Sequence, residues 1–333
     1  MANPGGVEYD TPKLHCLIKI PTLAFFKMIT SRIQPVWGID LGGTKVEGII
    51  MVPGAVPETI CRMRIPSGSD KGYEHLLSRI VELVDMMRKE SGLQPARIGM
   101  GTPGILDPQT QTMKNCNSVC LNGQPLKKDI EQMLGVPVEI ANDANCFALA
   151  ETLYGIVHDV VPGAQVVYGL IMGTGVGGGL VINNKVWAGR QGIAGEWGHN
   201  VLDETGDPCY CGKNGCVEGI LSGPALERYY QKLSGKYLPL KEIVDRHAAG
   251  DVYAAQTMER LVTMFGKAIA SVVNILDPDV IVIGGGVGNI DLLYTRGVEE
   301  LKKYIFNNRV ETVFVKPKLG DSAGVFGAAG LVA

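Results

Sequence analysis

The chain of 333 residues contains no run of about 18 consecutive apolar residues, so neither a transmembrane helix nor a membrane partner is expected. It has no surplus of charge of either sign. Its 31 lysines and arginines stand against 34 aspartates and glutamates, and a formal net charge of −3 gives no electrostatic footprint for DNA or RNA. Its 44 glycines follow no G-X-Y period, which excludes collagen, and 46% hydrophobic against 20% charged residues excludes a disordered chain. No segment matches G-x-x-x-x-G-K-[ST], so there is no P-loop. No G-x-G-x-x-G stands between a strand and a helix as a dinucleotide fold requires. Disulfide architecture is also missing: five of the eight cysteines (16, 61, 116, 120 and 146) are scattered singly, while 209, 211 and 216 form one tight group. That usage predicts a reducing, cytoplasmic compartment and one metal site.

The length predicts two domains. Residues 1–35 read as an N-terminal extension of unknown role. Their apolar stretch Leu14–Ile29 is broken by Lys19, Pro21 and Lys27 and lacks a clear signal-peptide cleavage site, and Met28 is an alternative start. From Val36 onward, short apolar runs alternate with longer amphipathic segments, which predicts an α/β architecture. Strands are expected at Val36–Asp40, Val46–Val52, Arg97–Met100, Pro137–Ile140, Gln165–Met172, Leu180–Ile182, Lys185–Ala188, Val280–Ile283 and Thr312–Lys316. Helices are expected at Tyr73–Ser91, where Leu76, Leu77, Ile80, Leu83, Val84 and Met87 fall on one face, at Ala144–Tyr154, over most of 224–275, and at 322–332. Similar strand–glycine–strand openings in the two halves predict a duplicated fold.

Three glycine loops follow strands. Asp40-Leu41-Gly42-Gly43-Thr44-Lys45 offers backbone N–H groups, a hydroxyl and a cation to an anion, and Asp40 stands where it can hold a metal ion through water. Gly173–Gly179, with Thr174, repeats that logic, and Gly284–Gly286 ends a buried strand. Two facing hairpins of this kind can grip the phosphates of a nucleotide; a plain tight turn is the alternative for any one of them. Asn142 and Asp143 lie between a strand and a helix, where either can serve as a helix cap. Glu196 and His199 are three residues apart and share a face if helical; for Glu196 and Glu218 the alternative is solvated charge. Cys209, Cys211 and Cys216 with His199 fill a tetrahedral zinc site with no open position, which makes the ion structural; a disulfide or free thiols are the alternatives.

On Gly38–Lys45, Ala141–Asn145, Gly173–Gly179, Gly195–His199 and Cys209–Glu218, in that order, the chain resembles the ROK family of sugar kinases and related repressors, within the hexokinase–actin-like superfamily. The resemblance implies an α/β fold of two actin-like (hexokinase/ribonuclease H-like) lobes with a cleft between them: 36–143, then 144–320 with the zinc loop, and a helix at about 321–333 packing back on the first lobe. It implies ATP and Mg²⁺ at Asp40, Gly42, Gly43, Thr44, Lys45, Gly173, Thr174, Gly175, Gly177, Gly284, Gly285 and Gly286. It makes Asp143 the general base and puts Gly104, Asn117, Asn142, Glu196, His199 and Glu218 at the sugar. His199, Cys209, Cys211 and Cys216 become ligands of structural Zn²⁺, and a homodimer is implied. The motifs favour a fructokinase/mannokinase phosphorylating the 6-hydroxyl, with N-acetylglucosamine kinase or glucokinase as alternatives. A sugar-responsive regulator is the rival class, disfavoured because no helix-turn-helix pattern precedes Val36.

Overall fold

The computed structural model describes residues 34–333, and the expectations for residues 1–33 lie outside them. Two five-stranded sheets share one topology. In the first, β1 (Val36–Leu41) pairs antiparallel with β2 (Lys45–Val52), and β2 with β3 (Glu58–Pro66). On its other side β1 runs parallel to β4 (Ile98–Thr102), and β4 to β7 (Val138–Asn142). The second sheet repeats the plan. There β8 (Val166–Met172), β9 (Val176–Ile182) and β10 (Lys185–Val186) pair antiparallel, while β11 (Val280–Gly284) and β12 (Val313–Val315) continue parallel from β8. A small hairpin, β5 (Ile105–Leu106) with β6 (Met113–Lys114), stands outside both. The duplication expected from the repeated openings is therefore a duplication of sheet topology.

Local sequence explains the connections. β1 turns into β2 over Gly42–Thr44, closed by the Gly42 N–H on the Lys45 carbonyl at 2.9 Å, and β8 turns into β9 over Gly173–Gly175, closed by the Gly173 N–H on the Gly175 carbonyl at 2.9 Å. Asn183 and Asn184, with φ of 51° and 61°, make the left-handed turn between β9 and β10 that asparagine tolerates. The helix Tyr73–Ser91 buries Leu76, Leu77, Ile80, Leu83, Val84 and Met87, the face its periodicity predicts, and stops at Gly92 in the left-handed conformation. The 224–275 stretch resolves into helices Gly223–Ser234, Leu240–Ala248 and Val252–Leu276, the last capped by Asp251. The glycine run 173–179 is not all loop. Only Gly173–Gly175 turns; Gly177 stands within β9 beside Ala144, and at Gly179 a Cβ would strike the Ala144 backbone.

Two helices cross between the sheets. Asp143–Leu153 follows β7 and lies against β8 and β9, and the small-residue helix Ala323–Gly330 lies against β1 and β4. Their backbones touch: a Cβ on Gly327 would overlap the Cys146 carbonyl, and one on Gly99 the Ala328 carbonyl. Glu151 locks the crossing. Its carboxylate is fully buried and accepts the backbone N–H groups of Ile156 at 2.9 Å, Lys318 at 3.0 Å and Leu319 at 2.8 Å. Hydrogen bonds to a charged acceptor contribute about 1.5–3 kcal/mol each, and removing the acceptor leaves buried donors unpaired. Glu151→Ala is therefore expected to lower unfolding free energy by about 3–5 kcal/mol in urea titration; a loss below about 1 kcal/mol would contradict this role.

Candidate active site

The loops of the first sheet and the start of the crossing helix enclose a cleft of about 360 Å³ lined by Asp40, Leu41, Gly42, Gly43, Pro103, Asn117, Ser118 and Asp143. Five of the expected site residues thus share one wall system: Asp40, Gly42, Gly43, Asn117 and Asp143. Leu41, Pro103 and Ser118 went unread, because chain order brings Ser118 across from Gly43 only once β4 and β6 are placed.

Asp143 is the first residue of its helix. Asn142 is the cap, its side-chain oxygen accepting the Asn145 N–H at 2.9 Å, so the capping alternative holds for Asn142 and frees Asp143 to face the cleft. The Asp143 Oδ1 accepts the Ala144 N–H at 2.8 Å, which lowers its pKa. Enclosure by protein acts the other way and is larger, so the Asp143 carboxyl lies above the ordinary aspartate value. Asp40, at the end of β1, is pushed up to about 6 by burial first, then by the charges of Glu47 and Asp143. Its carboxyl is hemmed in by the backbones of Gly101 and Gly324. Glu196 is likewise raised, by burial and then by Asp143 and Glu218. Acid groups thus converge on the cleft from both halves of the chain, a fit for a cation and for sugar hydroxyls.

Directly across the strand pair from Asp40 sits Glu47, 2% exposed. Like charges facing each other destabilise a sheet, and here Arg62 and Arg64 on β3 neutralise Glu47, each at 2.6 Å. The signal for this cluster in sequence is the basic alternation Arg62–Met63–Arg64 of β3 across from Glu47 on β2. Lys45 lies 3.9 Å from the same carboxylate. Thr44 completes the turn, its carbonyl accepting the Ser67 N–H at 3.0 Å.

In the second half, the Glu218 carboxylate accepts the Val176 N–H at 2.9 Å and so pins the Gly173–Thr174–Gly175 turn. Gly284 and Gly285 end β11 and open a short helix. A Cβ would strike the Phe147 ring at the first and the Met172 carbonyl at the second, which accounts for both as packing glycines; Gly286 faces open space. Gly104 is buried, and a Cβ there would strike Cys116. Glu196 precedes a single 3₁₀ turn, Trp197–His199, rather than standing on a helix with His199.

The ligand atoms of His199, Cys209, Cys211 and Cys216 all lie within 4.8 Å of one another. Cys211 and Cys216 sulfurs are 3.5 Å apart, and the Cys209 sulfur is 3.6 Å from His199 Nδ1. Backbone hydrogen bonding from Lys213 holds the Cys211 thiol below its ordinary value, while burial pushes Cys216 up to about 12. Three sulfurs and one imidazole nitrogen in this space fit a closed tetrahedral zinc site. His199 Nε2 lies 2.9 Å from the Tyr210 hydroxyl, so a sugar contact from that nitrogen requires Tyr210 to yield.

The clustered carboxylates carry a testable cost. A carboxyl whose folded pKa is raised adds stability that is present at low pH and lost as pH rises through the folded value, here from ordinary aspartate values to about 6 for Asp40. Asp40→Asn is therefore expected to stabilise the protein by on the order of 1–2 kcal/mol at pH 7.5 and by little at pH 4, while abolishing turnover. Equal stability of the two proteins at both pH values would contradict the burial of this charge.

The chain is similar to known proteins along this whole region. The ROK family profile matches residues 36–333. An N-acetyl-D-glucosamine kinase of Vibrio parahaemolyticus is 36% identical over 306 residues, covering 88% of this chain and 98% of that protein. A solved ROK hexokinase from Thermus thermophilus matches with a TM-score of 0.79 at 31% identity, covering 90% of this chain and 98% of the other. A ROK family glucokinase from Streptomyces griseus, solved with glucose and AMPPNP, matches with a TM-score of 0.70 at 26% identity, covering 89% and 98%. The two mixed sheets are those of the actin-like two-lobe fold. The chain belongs to the ROK family and is one of its ATP-dependent sugar kinases.

Proposed function

We propose that the protein is an N-acetyl-D-glucosamine kinase that transfers the γ-phosphate of ATP to the sugar 6-hydroxyl. The observation that carries this reading is the cleft where Asp143 and Asp40 share one pocket with the Gly42–Gly43 backbone, in a chain 36% identical to an N-acetyl-D-glucosamine kinase. The similarity moves the weight from the fructokinase/mannokinase expectation to its alternative. Asp143 takes the proton of the attacking hydroxyl; phosphoryl transfer needs chiefly positioning and charge stabilisation, and a carboxylate base is enough. The N–H groups and side chains of Gly42–Lys45 and the Gly173–Gly175 turn hold the phosphates, and the Gly284–Gly286 segment faces the nucleoside. Asp40 would hold Mg²⁺ through water, and an ion there would supply positive charge against the phosphates. The Asn142 amide, Asn117, Gly104, Glu196, His199 and Glu218 surround the sugar. The halves 36–143 and 144–320, with 321–333 returned to the first, close as lobes to exclude water.

Release of ADP with MgATP across N-acetylglucosamine, N-acetylmannosamine, glucose, mannose and fructose tests the assignment. N-acetylglucosamine is expected to give the highest kcat/KM, and Asp143→Asn to lose about 10²–10⁴ in rate. The raised carboxyl of Asp143 puts the acid limb of the wild-type pH profile above that of an ordinary aspartate, with rate falling as pH falls. Preference for fructose, or an active Asp143→Asn, contradicts the reading.

We further infer that zinc in the thiol cluster is structural, holding Glu196 and Glu218 through His199 and Cys216, and that the enzyme is a cytoplasmic homodimer. Ile275 and Phe306 are exposed, and the Asn274 side chain ties their segments, accepting the Phe306 N–H at 2.8 Å and donating to the Tyr304 carbonyl at 3.0 Å. We take this apolar pair as the candidate subunit contact. Native mass spectrometry checks both points: a dimer carrying one zinc per chain is expected, and a monomer or a zinc-free chain contradicts the corresponding inference.

A further inference from the structure

The β5–β6 hairpin and the turn Gly189–Ala194 belong to opposite halves of the chain and meet in space. Lys114, the last residue of β6, donates to the Gln191 carbonyl at 2.9 Å and to the Asp107 carboxylate at 2.7 Å. Asp107 is itself oriented by the N–H groups of Gln109 at 2.8 Å and Thr110 at 3.0 Å, and these bonds, led by that to Lys114, hold its carboxyl well below the usual range. Beside this bridge, Gly192 lies against the hairpin at φ 76°, where a Cβ would approach Ile105 to 2.7 Å. Each partner leads straight to the cleft. The hairpin follows Pro103 and precedes Asn117 and Ser118, all three in the pocket wall. The turn leads into Gly195 and Glu196, and Glu196 feels the charge of Asp143.

We propose that Lys114 is a positioning residue for sugar binding: its bridge from Asp107 to the Gln191 carbonyl clasps the two rims of the cleft and sets the spacing between Asn117 and Glu196. Lys114 touches no substrate atom in this account. Its ammonium ties the hairpin to the turn, and in the proposed reading both tethered rims carry groups that meet the sugar. The nucleotide hairpins, Gly42–Thr44 and Gly173–Gly175, lie outside the clasp, so its loss acts on the sugar and spares ATP.

The inference rests on the sugar-kinase reading and is tested on the full chain by isothermal titration with N-acetylglucosamine, alongside steady-state kinetics and thermal unfolding. Lys114→Met is expected to weaken sugar binding about tenfold by loosening the spacing of the two rims, with the ATP KM within about twofold and Tm lowered by no more than a few degrees. Lys114→Arg, which keeps the charge and the reach, is expected to recover affinity to within about threefold of wild type. Sugar affinity of Lys114→Met within about twofold of wild type overturns the proposal, as does a parallel rise in the ATP KM or a failure of Lys114→Arg to rescue. If the wild type bound glucose and not N-acetylglucosamine, the substrate assignment would fail, and the same comparison made with glucose would still decide the clasp.

Discussion

The close crossing of helices Asp143–Leu153 and Ala323–Gly330 is the constraint on which the rest depends. Helices with ordinary side chains between them sit 8–10 Å apart; here glycines let backbone meet backbone. The first helix carries Asp143 at its start and lies on the second sheet, while the other packs on β1 and β4, and Asp40 is the penultimate residue of β1. The distance between the two cleft carboxylates is therefore set by helix contact and by the three N–H groups gathered on Glu151, not by the mobile ends of side chains. A site built on rigid elements in this way holds its geometry without help from substrate.

Electrostatics and packing pull against each other in the cleft. Burial raises Asp40, Asp143 and Glu196, and repulsion from neighbouring carboxylates adds to it at Asp40 and Glu196. The free protein bears that strain because cations gather on Glu47 opposite Asp40: Arg62 and Arg64 at 2.6 Å and Lys45 at 3.9 Å. Under the proposed function, a divalent cation and donor hydroxyls would relieve this strain, directing binding free energy to the carboxylates of the cleft. The thiol cluster serves the same end from outside, since His199 and Cys216 flank the segments that carry Glu196 and Glu218.

Much of this was legible in sequence, for reasons that differ by element. The Tyr73–Ser91 helix could be read to the residue because its apolar face repeats at helical spacing and Gly92 ends it. The two hairpins were legible because a glycine turn between apolar runs is a local signal, and the zinc ligands because their spacing is. Gly177 and Gly179 misled, since glycine reads as a turn when its role is to let β9 approach a helix distant in sequence. The packing of Gly284 on Phe147 and of Gly285 on Met172 has no sequence signal, because both partners are distant in the chain. Glu151, Glu47 with its arginines, and the Lys114 bridge were invisible because each depends on partners that only the fold brings near. Sugar choice was equally hidden, since it follows cleft shape and not residue type.

The most direct test of the account is a crystal structure of Asp143→Asn with MgATP and N-acetylglucosamine. The account predicts the sugar 6-hydroxyl within hydrogen-bond distance of residue 143, in line with the γ-phosphate, with Asp40 on the metal side. A sugar bound with another hydroxyl facing residue 143, or seated away from the Gly42–Gly43 backbone, would contradict it.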